Sequence, residues 1–201
     1  MELLIVGKPN VGKTLLMINF AAYLGLRELH LEVSEGDGVR RSQRLTTDRA
    51  RRDLVSLYAP KTHRMQTLML DQGLGRQRVP WTVADTMGIP EGIAEEPEIR
   101  HQVALTLERL LRADMVLHVL DASSVGLRRM EAPGPFDAAL AELGQLLKGY
   151  LIIANKMDKP GSHEGLRLIK ERYRGVPVTP VSAVTRRGFR DMKNWMARLM
   201  G

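Results

Sequence analysis

The chain has 201 residues, a formal net charge of +7 and no cysteine. That length suits one domain with a proper core, and the lack of cysteine excludes disulfides, thiol chemistry and cysteine-ligated metals. No stretch approaches the ~20 apolar residues of a membrane span and no signal-peptide pattern opens the chain, so a single domain over 1–201 in a reducing cytoplasm is the expectation.

Glu2 to Val6 is a short apolar run, read as a strand, and Gly7-Lys8-Pro9-Asn10-Val11-Gly12-Lys13-Thr14 follows at once. Leu15, Leu16, Ile18, Phe20, Ala22 and Tyr23 then begin a helical pattern that ends near Gly25. The stretch from there to about residue 63 reads as a long loop with a short helix around Thr47 to Leu57. It carries a basic cluster of Arg40, Arg41, Arg44, Arg49, Arg51 and Arg52, and loops this long are commonly functional or mobile. Met65 to Leu70 and Val79 to Ala84 read as strands joined by a turn through Gly73-Leu74-Gly75, with Pro80 placing the start of the second at an edge. Pro97 opens a helix in which Ile99, Val103, Leu107, Leu110 and Leu111 recur at helical spacing. Met115 to Leu120 is a buried strand, Phe136 to Leu147 a helix and Leu151 to Ala154 a strand. His163 to Tyr173 (helix), Val178 to Val181 (strand) and Gly188 to Met200 (amphipathic helix) complete the chain. Strands alternating with helices predict an α/β fold: a mostly parallel central sheet with helices on both faces.

Strand, glycine-bracketed loop, helix is the setting in which G-x-x-x-x-G-K-[ST] binds phosphate. Gly7 and Gly12 let backbone N–H groups turn inward, and the positive end of the next helix points the same way. Lys13 supplies a point charge for outer phosphates, and the Thr14 hydroxyl suits Mg²⁺. Asp85-Thr86-Met87-Gly88 ends a strand, so Asp85 can serve Mg²⁺ and the Gly88 N–H can approach a terminal phosphate. Asn155-Lys156-Met157-Asp158 follows another strand. Asp158 offers paired acceptors for the two adjacent donors on the N1–H and 2-amino edge of guanine, which adenine lacks. Lys156 can lie along the base, Asn155 can tie this loop to the phosphate loop, and the Ala183 N–H of Ser182-Ala183 can donate to the 6-oxo group. All four motifs fall just past strands, where open parallel sheets bind ligands.

In that order the motifs resemble the small P-loop GTPases of the translation-factor-related class, closest to the Era-like branch, and the likeness spans essentially the whole chain. The resemblance implies a G domain that binds GTP and GDP with Mg²⁺ and hydrolyses GTP. By the family's pattern Gly7, Asn10, Val11, Gly12, Lys13 and Thr14 hold phosphates, Thr14 and Asp85 serve the metal, and Gly88 senses the γ-phosphate. Asn155, Lys156, Asp158, Ser182 and Ala183 read guanine. Lys13, Thr62 and Gly88 are the implied catalytic set, with Thr62 as the switch threonine that reaches Mg²⁺; Thr47, in Thr46-Thr47-Asp48-Arg49, is the alternative.

Met87 replaces a proline common in Era-like D-T-P-G, and Ile89 stands where Ras-like members orient water with Gln. Asn10 occupies the position at which potassium-activated Era-like GTPases ligate the cation, so K⁺ joins Mg²⁺ as a candidate; the other reading is that Asn10 tolerates a tight turn. The basic segment 40–52 points to RNA or a ribosomal partner, or is a solvated surface. His118 reads as a satisfied core residue, the methionines as core filler, and Arg186 and Arg187 as a solvated edge.

Overall fold

The computed structural model describes residues 1–34, 40–55, 66–70, 81–86, 96–127, 133–147 and 149–200. In chain order its elements are β1 (Glu2–Val6), α1 (Lys13–Tyr23), β2 (Glu28–Ser34), β3 (Arg40–Thr46), α2 (Thr47–Leu54), β4 (Gln66–Leu70) and β5 (Trp81–Asp85). Then come α3 (Pro97–Arg112), β6 (Met115–Asp121), α4 (Ala122–Gly126), α5 (Pro135–Gly144), β7 (Tyr150–Asn155), α6 (Ser162–Arg172), β8 (Val178–Pro180) and α7 (Phe189–Met200).

Among the described residues the strands form one eight-stranded sheet in the order β3-β2-β4-β5-β1-β6-β7-β8. β5, β1, β6, β7 and β8 pair in parallel; β4 and the β2–β3 hairpin join by antiparallel pairing. Parallel strands buried on both faces read as near-continuous apolar runs, and β1, β6 and β7 do so apart from Glu2, His118, Asp121 and Asn155. Alternate residues feed opposite cores. Leu3, Ile5, Met115, Leu117, Val119, Leu151 and Ile153 pack with the buried residues of α1 and α7. Leu4, Val6, Val116, Leu120, Ile152 and Ala154 pack with those of α3, α5 and α6. Fully buried Phe189 meets Phe20 edge-on at 5.6 Å between ring centres and Tyr23 at 5.7 Å, which fastens α7 to α1. Met17, Met115, Met192 and Met196 are buried core filler, as expected.

Two expectations need correction. The stretch after α1, expected as a loop, pairs as the β2–β3 hairpin, while the short helix expected around Thr47 is present as α2. Leu29, Leu31 and Val33 alternate along β2, and β3 needs little apolar content because backbone pairing with β2 holds it at the sheet edge. The strand after Pro80 is not at an edge: β5 lies between β4 and β1. β5 runs from Trp81 to Asp85, and Pro80 itself lies outside the described residues. Asp121, at the end of β6, caps the unforeseen α4 by accepting from Ser124 N–H at 3.1 Å. The turn through Gly73-Leu74-Gly75 lies outside the described residues.

Candidate functional site

The carboxyl ends of β1, β5, β6, β7 and β8 bring the motifs to one rim of the sheet. The loop after β1 turns through left-handed backbone at Asn10 (φ 62°) and Gly12 (φ 97°) before α1 begins. Asparagine tolerates that conformation; Gly12 has a second reason to be glycine, since a Cβ there would lie 2.6 Å from Asn155 Nδ2. Lys13 is buried and folds back over the loop, donating to Gly7 O at 3.0 Å and Lys8 O at 2.8 Å. Burial pushes its pKa down to about 8 against the opposing pull of Asp85.

Asp85 is fully buried. Thr14 Oγ1 donates to its Oδ2 at 2.5 Å, while Oδ1 has no hydrogen-bond partner. Burial raises this carboxyl to about 6, opposed by the charge of Lys13 and the bond from Thr14. An orphaned carboxylate oxygen beside a threonine hydroxyl is a hard-oxygen donor pair, so Thr14 and Asp85 fit Mg²⁺.

At the other end of the rim, Asn155 clasps two loops at once. Its Nδ2 donates to Val11 O at 2.8 Å, and its Oδ1 accepts from Ala183 N–H at 3.0 Å. The Ala183 N–H, expected to serve a 6-oxo group, is therefore already given to Asn155, and a base oxygen must share it. Lys156, itself left-handed (φ 64°), donates to Asn10 O at 2.7 Å and to Asp121 Oδ2 at 2.7 Å. Burial pushes Asp121 up, but the bonds from Lys156, Ser123 and Ser124 hold it below the usual carboxylate range. Ser182 Oγ donates to Asp158 Oδ1 at 2.6 Å, and Ser182 N–H donates to Arg187 O, closing the last loop. Arg186 and Arg187 are exposed.

Sequence reasoning missed Asp121 because its partner lies 35 positions away; the available signal was an Asp opening A-S-S after a buried strand. It also missed Asp137 and Tyr150, which satisfy His118. The His118 ring bonds Tyr150 Oη at 2.7 Å and Asp137 Oδ1 at 3.1 Å, all three buried, so His118 is the core residue it was read to be. Asp137 Oδ2 also faces Lys8 Nζ at 3.5 Å, which anchors the phosphate loop to the start of α5.

Thr62, Met87, Gly88 and Ile89 lie outside the described residues. Thr47 opens α2 and its N–H donates to Arg27 O, beyond the far end of α1 from Thr14. Eleven helical residues, at about 1.5 Å each, separate the two ends, so this conformation does not bring Thr47 to the metal pair.

No protein-family model matches the chain. It is 33% identical over 130 residues to the GTPase Obg of Geobacillus thermodenitrificans, covering 60% of this chain and 28% of that protein. With the GTPase Obg of Listeria innocua it shares 31% over 163 residues, 77% of this chain and 35% of the relative. The chain thus spans about a third of the length of these curated relatives. Its fold superimposes on a variant of Aquifex aeolicus Era bound to GDP.AlF4- with a TM-score of 0.59 at 21% identity, covering 98% of this chain and 56% of that one. The G domain of the T. maritima FeoB iron transporter gives 0.58 at 18% identity, covering 100% and 99%. The motif order, the sheet that carries it and the likeness to Obg converge: the chain belongs to the small P-loop GTPases, and its G domain has the fold of the Era-like branch.

Proposed function

We propose that residues 1–201 form one G domain that binds GTP and GDP with Mg²⁺ and hydrolyses GTP, acting as a nucleotide-controlled switch in the cytoplasm. The observation that carries this reading is the Asn155 clasp, which makes the phosphate loop and the base loop one unit. Asp158 takes the N1–H and 2-amino donors of guanine, with Ser182 orienting its carboxylate. Lys13 leaves the loop carbonyls for the outer phosphates and offsets charge as water attacks the γ-phosphoryl group. Mg²⁺, held by Thr14 and Asp85, would add positive charge at the same phosphates. Thr62 and Gly88 complete the γ-phosphate contacts, and K⁺ beside Asn10 is the finer proposal for what stands in for a water-orienting Gln at position 89. Competition binding tests the base assignment. Asp158→Asn should weaken GTP by about tenfold or more and favour xanthosine triphosphate, whose 2-oxo group accepts from the amide. Tight ATP binding by the unmodified protein sinks the assignment.

A second reading is a GTP-gated module with little hydrolysis that docks on RNA or a ribosomal surface. Its support is the exposed Arg44, Arg49 and Arg52 on β3 and α2, with an Era neighbour solved in complex with 16S ribosomal RNA. Binding should then weaken steeply with salt, and reversing these charges should flatten the slope. No RNA association at low salt rejects it, and steady-state phosphate release with and without RNA separates the two readings.

A further inference from the structure

Asn19 lies in the middle of α1 and is only 5% exposed, between the apolar core residues Ile18 and Phe20. A buried amide needs partners at both ends, since leaving one unmade costs about 1–3 kcal/mol. Its Nδ2 donates to Ala183 O at 2.7 Å, and its Oδ1 accepts from Arg51 Nε at 2.6 Å. Arginine can only donate, so Arg51 decides which end of the amide faces Ala183. With the amide reversed, its oxygen would confront the Ala183 carbonyl. Arg51 is itself held: its Nη1 donates to Asp48 Oδ1 at 2.5 Å, and fully buried Ala50 packs α2 into the core that α1 feeds. A hydrogen-bonded chain therefore runs from Asp48 through Arg51, Asn19, Ala183 and Asn155 to Val11 of the phosphate loop.

We propose that Arg51, acting through Asn19, is a positioning residue for the base loop: it holds Ala183, and with it the Asn155 clasp, in the conformation that takes guanine. This rests on the reading of Ser182-Ala183 as part of a guanine site. It gives α2 a task beyond surface charge. The helix braces bound nucleotide, and a partner that pulls α2 away from α1 speeds nucleotide release. Arg51 approaches the base loop and not the phosphates, so its loss acts on binding and leaves the chemical step alone.

Release of a fluorescent GDP analogue and steady-state GTP hydrolysis by the full chain test the link. Arg51→Met keeps an apolar stem and loses the donor. GDP release and KM should both rise about three- to tenfold, the worth of one hydrogen bond to a buried amide, while kcat changes by less than about twofold. Arg51→Lys, which keeps a donor, should restore most of the difference. In an Asn19→Ala background Arg51→Met should add nothing. If Arg51→Met does not fold, Asn19→Asp carries the same expectation, since it accepts from Arg51 but cannot donate to the Ala183 carbonyl. Unchanged release in Arg51→Met, additive effects in the double variant, or a fall in kcat at constant KM overturns the link. Wild-type protein that fails to bind GDP overturns the guanine reading itself, and this inference with it.

Discussion

The two ends of the proposed nucleotide site are built differently. At the base end nearly every polar group already has a partner: Asn155 joins Val11 to Ala183, Lys156 joins Asn10 to Asp121, and Ser182 orients Asp158. At the phosphate end the groups are charged, buried and poorly compensated. Lys13 rests on two carbonyls with its pKa pushed down by burial, and Asp85 leaves one oxygen unpartnered with its pKa pushed up. The base end is pre-organised, so little ordering is required when a base arrives. The proposed phosphate end holds opposite charges in an environment that disfavours both, a strain that bound phosphates with a divalent cation would relieve.

Gly12 is the joint between the two ends, and breaking it should have the largest effect. Gly12→Ala puts a side chain in left-handed backbone, at about 1–2 kcal/mol, and drives a Cβ toward Asn155 Nδ2 at 2.6 Å. Adding the cost of a displaced buried amide, about 1–3 kcal/mol, gives a loss of GDP affinity on the order of a hundredfold. Isothermal calorimetry checks it. Unchanged affinity would mean that the Asn155 clasp is not needed for binding.

Asp85→Asn separates the ends. It should lower Mg²⁺-dependent GDP affinity by about tenfold, because the amide is a far weaker ligand for a hard cation than the carboxylate it replaces. The melting temperature of the nucleotide-free protein should move little, since the charge removed is one that burial already disfavours. A large drop without nucleotide would show that Asp85 serves the fold rather than the metal.

Asp121→Asn probes the base end more gently. The variant keeps an acceptor for Ser124 N–H and removes the charge that holds Lys156. GDP release should quicken by about three- to fivefold in stopped-flow measurements. The pH dependence has a definite sign. The folded pKa of Asp121 lies below its ordinary 3.8, so the stabilisation from the pair is present at neutral pH and lost as pH falls through the depressed value. The stability difference between wild type and variant should therefore close in acid.

What the sequence revealed follows the same division. Gly7, Gly12, Asn155 and Ser182 sit at fixed offsets from strand ends, and local backbone geometry dictates their types, so pattern alone places them. Asp121 and Asp137 act through side chains 35 and 19 positions away, and no local pattern announces such partners. The insert was misjudged for another reason. Its arginines and glycines suggested a loop, but Leu29, Leu31 and Val33 already alternate with polar residues, the period of a half-buried strand. β3 carries almost no such signal, because an edge strand is specified by its neighbour as much as by itself.

The smallest expected effect falls at Asn10, where the two ends meet. Its carbonyl accepts from Lys156, its backbone is left-handed at φ 62°, and its side chain is exposed. Two explanations for an asparagine compete there: tolerance of the turn, and a side-chain oxygen that ligates K⁺ beside the phosphates. Asn10→Ala confounds them, since alanine also strains the turn by about 1–2 kcal/mol. Asn10→Gly does not, because glycine adopts the same backbone freely and lacks only the side-chain oxygen. If K⁺ assists hydrolysis, the wild type should turn over GTP about two- to threefold faster in potassium than in sodium at equal ionic strength, as an added charge beside the transferring phosphoryl group would. Asn10→Gly should bring that ratio to about one. A ratio that survives the glycine substitution assigns the cation to other ligands, and equal wild-type rates in both salts leave the turn as the whole reason for Asn10.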